Sequence, residues 1–591
     1  MAENNMGLDP NLFFTRKEMF DGEEIEAIYR YARRPTDSDL EADLANAGDP
    51  MLAMGHGFCS PFNPRTYQAG EGVICQQDVG VKMRDGTTLY CDIFLPENRT
   101  EKIPAILSWS FFGKRPGDGM SEWQIMGVPP GTVSKNAKFE SPDPLYWCRH
   151  GYAIINVDTR GVGHSEGDIY MFTQQDCEDG YDFIEWTAQQ DWCNGKVGMG
   201  GNSGVSMCQT RIAAYQPPHL ACIAPWEGTT DIYRESIYEG GIPALGFNSF
   251  IGTSLTGPGG VDDQVEMAKH YPLMNGYWRD KIPKFENIRC PAYFTGGFSH
   301  FHLRGSVQAF RKTKSRKKWL RLHRDFEWPD AYDPNNLEDL KRFYDRYLKD
   351  IHNGWELTPR VRVDVMDSYD CDYQVQRPET SFPIERTEYK RYYLDAANMT
   401  MQDAPVGVES KVSYDPETEE AVFDMAFTED TELTGYMFLR LFVEADGHDD
   451  MDMFVNIQKA DADGKWMPWW TLGEEHPGAW GKMRVSHRKL DEKLSTKFQP
   501  VQAHTEIQKL AKGEIAQVDI EIVPSSRIWH KGEKLRIQVA GRYIREGWFE
   551  PFSWETDNVG RHVIHTGGKY ESFIQVPVIP PRLKAGDYVY R

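Results

Sequence analysis

The stretch from Lys196 to Val205 constrains the fold of this chain more than any other part of its sequence. It reads Lys-Val-Gly-Met-Gly-Gly-Asn-Ser-Gly-Val, an apolar lead-in that passes through glycines to Ser203. A strand that turns sharply into a helix needs small residues at the bend, and the bend presents the serine hydroxyl. The segment departs from the G-x-S-x-G pattern, because Val205 stands where the last glycine is expected. It predicts a strand–turn–helix element with Ser203 as a candidate nucleophile.

Apolar segments on both sides of this turn predict a mostly parallel sheet. They are separated by lengths of chain that suit helices, and they comprise residues 105–110, 152–157, 197–199, 220–224, 293–294 and 319–322. Buried strands that alternate with helices are typical of a sheet covered by helices on both faces. Upstream, Asp85-Gly86 joins two alternating segments between Val79 and Pro96, which predicts a β-hairpin.

Three other regions depart from this alternation of strands and helices. An N-terminal arm is expected to lie over the main body, and its charged segment from Arg16 to Arg33 has a helical pattern. A Gly-, Pro- and aromatic-rich interval is long enough for an inserted helical cap. Toward the C-terminus, alternating segments such as 435–443 and 534–540 predict an antiparallel sandwich. The expected divisions are an arm (1–72), an α/β core in two parts (73–230 and 286–358), a cap (231–285) and a sandwich (359–591).

Charge and cysteine content argue against several classes of protein. The 591 residues include 89 acidic and 66 basic side chains, a formal net charge of -23. Phosphate binding needs concentrated positive charge, so neither nucleic acid nor an anionic membrane is an expected partner. The ten cysteines are scattered without a C-x-x-C pair. No metal, cofactor or disulfide framework is therefore predicted.

Targeting signals are also missing from the sequence pattern. The first residues, Met1-Ala-Glu-Asn-Asn5, lack a basic and then apolar leader, and no run of about eighteen apolar residues occurs. A cytoplasmic protein that acts on a small molecule is the expectation. A homodimer stays open, because the sequence does not fix the oligomeric state.

A serine nucleophile needs a base, and the base needs a group that orients it. In α/β-hydrolases the nucleophile, the acid and the histidine follow in that order along the chain. His323 comes directly after the apolar segment 319–322, so it falls where a late strand ends. Active-site loops gather at that edge of a sheet. The sequence favours His323 as the base over a loop histidine without a catalytic role.

Six further segments form an ordered set of motifs. They are Arg84–Gly86, Asp158–Gly167, Gly180–Trp186, Ala224–Gly228, Glu327–Asp330 and His562–Gly568. Over roughly residues 73 to 580 the set resembles the X-Pro dipeptidyl-peptidase and cocaine-esterase-like family of serine hydrolases, also labelled CocE/NonD or S15. The resemblance implies an α/β-hydrolase domain with a helical cap and a C-terminal jelly-roll β-sandwich. It also implies Ser203 as nucleophile and His323 as general base.

Three positions differ from the pattern of that family. Gly204 stands where an aromatic residue usually follows the serine, although its backbone N–H can still donate to an oxyanion. Relatives supply a tyrosine hydroxyl from a Pro-Tyr-Gly-Lys-like turn, and here Phe112 takes that place. Losing one such donor typically slows acyl transfer by about a hundred- to a thousandfold. His300 stands where the acid of the family usually lies.

The acid of a triad would then come from elsewhere in the chain. Glu227 follows the next strand after the serine, a place from which some α/β-hydrolases draw their acid, but it is equally suited to anchor the cap. Asp325, Glu327 and Asp330 are weaker candidates, because they are very close in sequence to His323.

Two enzymatic functions fit these residues. The first is hydrolysis or acyl transfer on an ester, amide or lactone of a small apolar molecule, with Ser203, His323, Glu227 and the Gly204 N–H as machinery. The second keeps the fold but catalyses cyclisation, elimination or isomerisation of a natural-product intermediate, with a histidine as acid or base. A non-catalytic binding protein is disfavoured, because the serine turn and the late histidine are both retained. The residues expected to line the substrate pocket are Trp109, Phe112, Phe247, Phe250, Tyr277, His300 and His302.

Overall fold

The central sheet is mostly parallel, and its strands coincide with the apolar segments of the sequence. The computed structural model describes residues 12–33, 62–115, 127–544 and 553–581. The chain divides into two units, one of residues 1–235, 246–321 and 325–358, the other of residues 236–245, 322–324 and 359–591. The strands up to residue 323 are β1 Phe13–Phe20, β2 Glu23–Tyr31, β3 Arg65–Gly70, β4 Val73–Lys82, β5 Thr88–Pro96, β6 Ile103–Ser110, β7 Ala153–Asp158, β8 Cys193–Asn202, β9 Leu220–Trp226, β10 Tyr238–Glu239, β11 Ile242–Pro243, β12 Gly260–Asp262, β13 Ala292–Gly297 and β14 Lys318–His323.

Strand pairing gives the sheet of the first unit its order. The strands run β3-β4-β5-β7-β6-β8-β9-β13, antiparallel from β3 to β7 and parallel from β7 to β13. β4 and β5 form the predicted hairpin across Asp85-Gly86. The interior strands β6 and β7 are buried almost throughout, which explains why they read as continuous apolar segments. The predicted mostly parallel sheet is confirmed.

Helices connect and cover these strands. Their bounds are α1 Pro144–Arg149, α2 Gln174–Ala188, α3 Ser203–Ala213, α4 Leu245–Ser254, α5 Gln264–His270, α6 Gly276–Asp280, α7 Leu303–Lys312, α8 Glu327–Tyr332 and α9 Pro334–Leu348. One aromatic cluster joins α1 and α9 to the sheet, and its members include Trp147, Trp226, Tyr293, Trp319 and Phe343. The interval from 231 to 285 holds α4, α5 and α6, and the domain divisions given above stay predictions.

The helix expected from Arg16 to Arg33 is wrong, because this segment forms the hairpin of β1 and β2. Asp21 and Gly22 form its turn with φ angles of 44° and 84°. Two successive residues with positive φ match the right-handed twist of a hairpin, and Asp-Gly is the dipeptide that favours them. Charged side chains such as Arg16, Lys17 and Glu24 are exposed, whereas Arg30 is buried in an ion pair with Asp263. β2 also pairs with β12, so the N-terminal arm shares a sheet with the interval 231–285.

The second unit is rich in β-structure. Its strands after residue 358 are β15 Val361–Met366, β16 Asp372–Glu379, β17 Glu388–Asp395, β18 Thr400–Gln402, β19 Ser410–Tyr414, β20 Ala421–Ala426, β21 Thr431–Asp446, β22 Asp452–Ala460, β23 Trp469–Thr471, β24 Glu474–His476, β25 Ala479–Arg484, β26 Ala516–Trp529, β27 Lys534–Ala540, β28 Arg561–Thr566 and β29 Phe573–Val578. The long strand β21 pairs antiparallel with β26, β28 and β29. The predicted C-terminal β-rich domain is therefore confirmed, and its jelly-roll topology stays a prediction. In the described part of the chain, no helix has the length and apolar character needed to cross a membrane.

A buried ion pair fixes the end of β14 to α8. Both guanidinium Nη atoms of Arg321 donate to the carboxylate of Asp330 at 2.6 Å, and the two side chains are 2% and 4% exposed. Removing one member of a buried pair leaves the other charge without compensation. Asp330, one of the weaker candidates for the triad acid, thus has a structural role.

We expect Asp330→Ala to lower the free energy of unfolding by about 3–5 kcal/mol. Urea denaturation followed by tryptophan fluorescence measures this change. The matched control is Glu24→Ala, which breaks an ion pair to Lys17 whose side chains are 63% and 72% exposed. That control should cost less than about 1 kcal/mol. An Asp330→Ala protein as stable as the control would contradict the structural role of the buried pair.

Candidate active site

The turn at Ser203 has the strained geometry that the sequence predicts. β8 ends at Asn202, and Ser203 is the first residue of α3 with a φ of 56°, in the left-handed region. Non-glycine residues enter that region only where surrounding contacts hold them there. Here the Ser203 N–H donates to the carbonyl of Glu227 at 3.0 Å, and the Asn202 N–H donates to the carbonyl of Glu140 at 3.0 Å. The predicted strand–turn–helix element is confirmed.

The imidazole that contacts the serine hydroxyl belongs to His302. Its Nε2 lies 2.8 Å from Ser203 Oγ, and its Nδ1 lies 2.9 Å from Thr229 Oγ1. His302 follows β13, and Thr229 follows β9, so both come from the carboxyl edge of the parallel strands that follow β8 in the sheet order β8-β9-β13. Parallel strands bring the loops after them together at one edge, where active sites of such sheets form.

The environment of His302 keeps its ring neutral. Burial lowers the pKa of His302 well below 6.5, and the neighbouring His300 lowers it further. A neutral imidazole has one donor and one acceptor nitrogen. When Nδ1–H donates to Thr229 Oγ1, Nε2 is left to accept the proton of Ser203. This tautomer has the geometry of a general base on its nucleophile.

His300 occupies a place between two buried carboxylates. Its Nε2 lies 3.2 Å from Glu327 Oε1, and its Nδ1 lies 3.5 Å from Glu227 Oε2. The backbone N–H of His302 donates to His300 Nδ1 at 3.3 Å. Because Nδ1 accepts that hydrogen bond, the proton of a neutral ring sits on Nε2, toward Glu327. The position that carries the acid in the family thus holds an imidazole that two glutamates flank.

This cluster also has donor atoms of the kind that bind metals. His300, His302 and Glu327 offer ligand atoms that all lie within 4.8 Å of one another. Both ring nitrogens of His302 already have partners in Ser203 and Thr229. A metal at His302 would displace one of these contacts, so the arrangement fits proton transfer to and from Ser203 better than metal binding.

The backbone N–H of Gly204 already has an acceptor. Glu140 Oε2 receives it at 2.9 Å, and Glu140 Oε1 receives the indole N–H of Trp328 at 3.2 Å. Burial raises the pKa of Glu140 well above 4.5, and the charge of Glu327 raises it further, although hydrogen bonds from Trp328, Gly204 and Ser203 oppose the shift. A carboxyl group thus lies at the N–H that was predicted to hold an oxyanion, and the oxyanion role of Gly204 stays a prediction.

The structure gives a steric reason for glycine after the serine. A Cβ atom on Gly204 would lie 2.4 Å from Cε2 of Phe112 and 3.4 Å from Glu140 Oε2. The first distance is far below van der Waals contact, so an aromatic side chain has no room. The ring of Phe112, which is buried, occupies the space beside Gly204.

The other two members of the predicted triad are placed as follows. Glu227 is buried after β9, and its carboxylate faces His300 at the 3.5 Å distance given above. His323 is the last residue of β14 and is also buried. The orientation of His323 by Glu227 and the role of His323 as base stay predictions, whereas the serine contact is made by His302.

The remaining expected pocket residues differ in their surroundings. Trp109 is fully buried in β6 and donates to Asp176 Oδ1 at 2.8 Å, and Tyr277 is fully buried and donates to Asp262 Oδ1 at 2.5 Å. Their burial and these hydrogen bonds are typical of residues in the protein core. Phe247 and Phe250 lie half-buried in α4, where the Phe247 ring packs edge-on against Phe301. Their role as pocket residues stays a prediction.

Two residues of the site escaped sequence reasoning. Glu140 lies 63 positions before Ser203 in an irregular segment ahead of α1, and Thr229 carries a hydroxyl without a motif of its own. One signal was available for Thr229, because it directly follows the Ala224–Gly228 motif at the end of a buried strand. Glu140 had no comparable signal.

Known protein families match both parts of the chain. The family described as X-Pro dipeptidyl-peptidase (S15 family) matches residues 85–256. The family described as X-Pro dipeptidyl-peptidase C-terminal non-catalytic domain matches residues 353–575. These matches fall on the α/β region and the β-rich region.

Individual relatives extend the likeness to most of the chain. The crystal structure of a CocE/NonD family hydrolase from Staphylococcus aureus is 34% identical with a TM-score of 0.80, covering 86% of this chain and 94% of that one. Cocaine esterase from a Rhodococcus species is 23% identical over 610 residues, which cover 85% of this chain and 98% of the esterase. The structure of an α-amino acid ester hydrolase shares the fold, with a TM-score of 0.65, 15% identity, and coverage of 88% of this chain and 100% of that one. The predicted family is confirmed: the chain belongs to the CocE/NonD family of S15-type esterase and peptidase hydrolases.

Proposed function

We propose that this hydrolase cleaves an ester of a small apolar acyl compound through an acyl-enzyme on Ser203, with His302 as the general base. The observation that carries the proposal is the 2.8 Å contact between Ser203 Oγ and His302 Nε2 at a left-handed strand–helix turn. Two relatives named for esters, cocaine esterase and the α-amino acid ester hydrolase, support an ester as the substrate.

The first half of the reaction forms the acyl-enzyme. Ser203 Oγ attacks the carbonyl carbon while its proton passes to His302 Nε2, and the π electrons of the carbonyl move to its oxygen. Thr229 Oγ1 accepts from Nδ1–H and stabilises the imidazolium that forms. The tetrahedral intermediate then expels the alcohol, which takes the proton from Nε2.

The second half regenerates the serine. A water molecule gives its proton to His302 Nε2 and attacks the acyl carbon, and the proton then returns to Ser203 Oγ as the acid leaves. His302 has no carboxylate on Nδ1, so the hydroxyl of Thr229 stabilises its charged form less than a triad acid would.

Ser203→Ala tests the covalent step. We expect the hydrolysis rate of p-nitrophenyl acetate to fall by at least about a thousandfold, because the variant has no nucleophile. Intact-mass spectrometry after a fluorophosphonate probe should show one adduct on the unchanged protein and none on Ser203→Ala. Turnover that survives in Ser203→Ala without loss would exclude the acyl-enzyme.

Paired variants decide between the two candidate bases. We expect His302→Gln to lose at least about a hundredfold in kcat, the usual range for removing a general base. His323→Gln should retain more of kcat, and His219→Gln should match the unchanged protein, because His219 is exposed and pairs with Glu185. A large loss in His323→Gln beside an active His302→Gln would reassign the base to His323.

The pH profile tests the ionisation of His302. The reaction needs the neutral ring, which accepts the proton, and burial lowers the pKa of His302 well below 6.5. The acidic limb of kcat/KM should therefore lie well below pH 6.5, with activity retained as the pH falls through 6. A limb at pH 6.5 or above, measured with p-nitrophenyl acetate in constant ionic strength buffers, would contradict His302 as the titrating base.

A further inference from the structure

We propose that Glu140 is a catalytic acid of this site, a neutral carboxyl group that donates a hydrogen bond to the carbonyl oxygen of the substrate. It thereby takes the part that a tyrosine hydroxyl at position 112 would have. The inference rests on the proposed function, because it requires a carbonyl that Ser203 attacks.

The position of the carboxyl group is the first argument. Glu140 Oε2 accepts the N–H of Gly204, the residue directly after the nucleophile. In hydrolases with a nucleophile turn, this N–H is one of the groups that hold the oxyanion. A carboxyl oxygen on it therefore lies at the place where the acyl oxygen of a substrate binds.

The rigidity of Glu140 is the second argument. Its backbone carbonyl accepts the N–H of Asn202 at 3.0 Å, and its φ of 59° places it in the left-handed region. Its other carboxyl oxygen accepts from Trp328, and the residue is 2% exposed. Contacts to the backbone of the serine turn and to α8 thus hold the backbone and Oε1 of Glu140 in place beside Gly204, and strained backbone of this kind is typical of functional sites.

The charges around Glu140 favour its protonated form. Glu327 adds a second negative charge, and the groups hydrogen-bonded to Glu140 are an indole, a backbone amide and a hydroxyl, none of them cationic. Of the other titratable groups that interact with it, Tyr332 is neutral, since burial raises its pKa well above 10. Burial lowers the pKa of Lys138 to about 7, so its ammonium is readily lost. Burial and Glu327 together raise the pKa of Glu140, in agreement with the geometry.

The proton of Glu140 stabilises the negative charge that develops on the carbonyl oxygen of the substrate. The carbonyl oxygen takes the Gly204 N–H in place of Oε2 and receives the carboxyl O–H as a second donor. When Ser203 Oγ bonds to the carbon, the π electron pair moves to this oxygen and the proton is shared with it. On collapse the C=O double bond re-forms, and the proton stays with Glu140. A carboxylic acid kept neutral by an apolar site is an effective donor of this kind, whereas its ionised form repels the oxyanion.

The substitutions at 112 and 204 fit the same interpretation. Phe112 cannot donate, and its ring occupies the space above Gly204 that a side chain would need. Glu140 lies against the same glycine and offers the donor that Phe112 lacks. The three residues therefore act together as one unit.

Substitutions of Glu140 test the role through kcat/KM for p-nitrophenyl acetate as a function of pH. Glu140→Ala should lose about a hundred- to a thousandfold, the usual effect of removing an oxyanion donor. Glu140→Gln keeps a neutral N–H donor and should lose tenfold or less. The unchanged enzyme should lose activity at alkaline pH as Glu140 ionises, and Glu140→Gln should lack that limb.

Stability gives a readout that does not depend on catalysis. A carboxyl group whose pKa is raised in the folded state contributes stability that is complete below about pH 4.5 and is lost as the pH rises toward the folded pKa. The melting temperature of Glu140→Gln, relative to that of the unchanged protein, should therefore increase as the pH rises. Glu24→Gln, at an exposed site, should follow the unchanged protein.

Three results would overturn the proposal. They are Glu140→Ala with unchanged or increased kcat/KM in a folded protein, an alkaline limb that persists in Glu140→Gln, and melting temperatures of Glu140→Gln and the unchanged protein that change in parallel with pH.

Adding Phe112→Tyr to Glu140→Ala should restore at least tenfold of the lost rate, since it returns a hydroxyl near Gly204. Ser203→Ala separates the two hypotheses. If it abolishes turnover while Glu140→Ala does not, only the role of Glu140 fails; if it leaves turnover intact, the acyl-enzyme fails first.

Discussion

The left-handed backbone of Ser203 is the constraint on which the rest of the site depends. A serine in this conformation is unfavourable alone, and two backbone hydrogen bonds hold it, one to the carbonyl of Glu227 and one from Asn202 to the carbonyl of Glu140. These bonds bring the end of β9 and the segment before α1 against the nucleophile. The same residues supply side chains to the site. The two hydrogen bonds that hold the strained turn therefore also place the carboxyl groups of Glu140 and Glu227 at the site.

The electrostatics of the site differ from those of a Ser-His-Asp triad. Glu140, Glu227 and Glu327 are all buried within the first unit, and the imidazoles between them are those of His300 and His302. His300 lies between the carboxyl groups of Glu227 and Glu327, and the hydrogen-bond partners named above for Glu140 are uncharged. The site therefore divides its carboxyl groups between two that flank an imidazole and one that lies at the serine turn. Environment, and not residue type, makes that division.

The sequence predicted most of the core and part of the site, for physical reasons that differ from residue to residue. Strands such as β6 and β7 are buried on both faces, so their composition alone reveals them. The hairpin of β1 and β2 was missed, because a half-exposed charged strand lacks that apolar signal. Ser203 was found because a tight turn demands small neighbours. Glu140 could not be found, because its role comes from a contact between distant segments.

The contact between Phe112 and Gly204 also constrains which side chains this site can accept together. An aromatic residue cannot return after the serine while the ring of Phe112 lies 2.4 Å from the nearest position of a Cβ atom. A smaller side chain at position 112 would leave a void over the glycine. The two positions are therefore sterically coupled, because any side chain at position 204 requires the ring at position 112 to move away from the nucleophile turn.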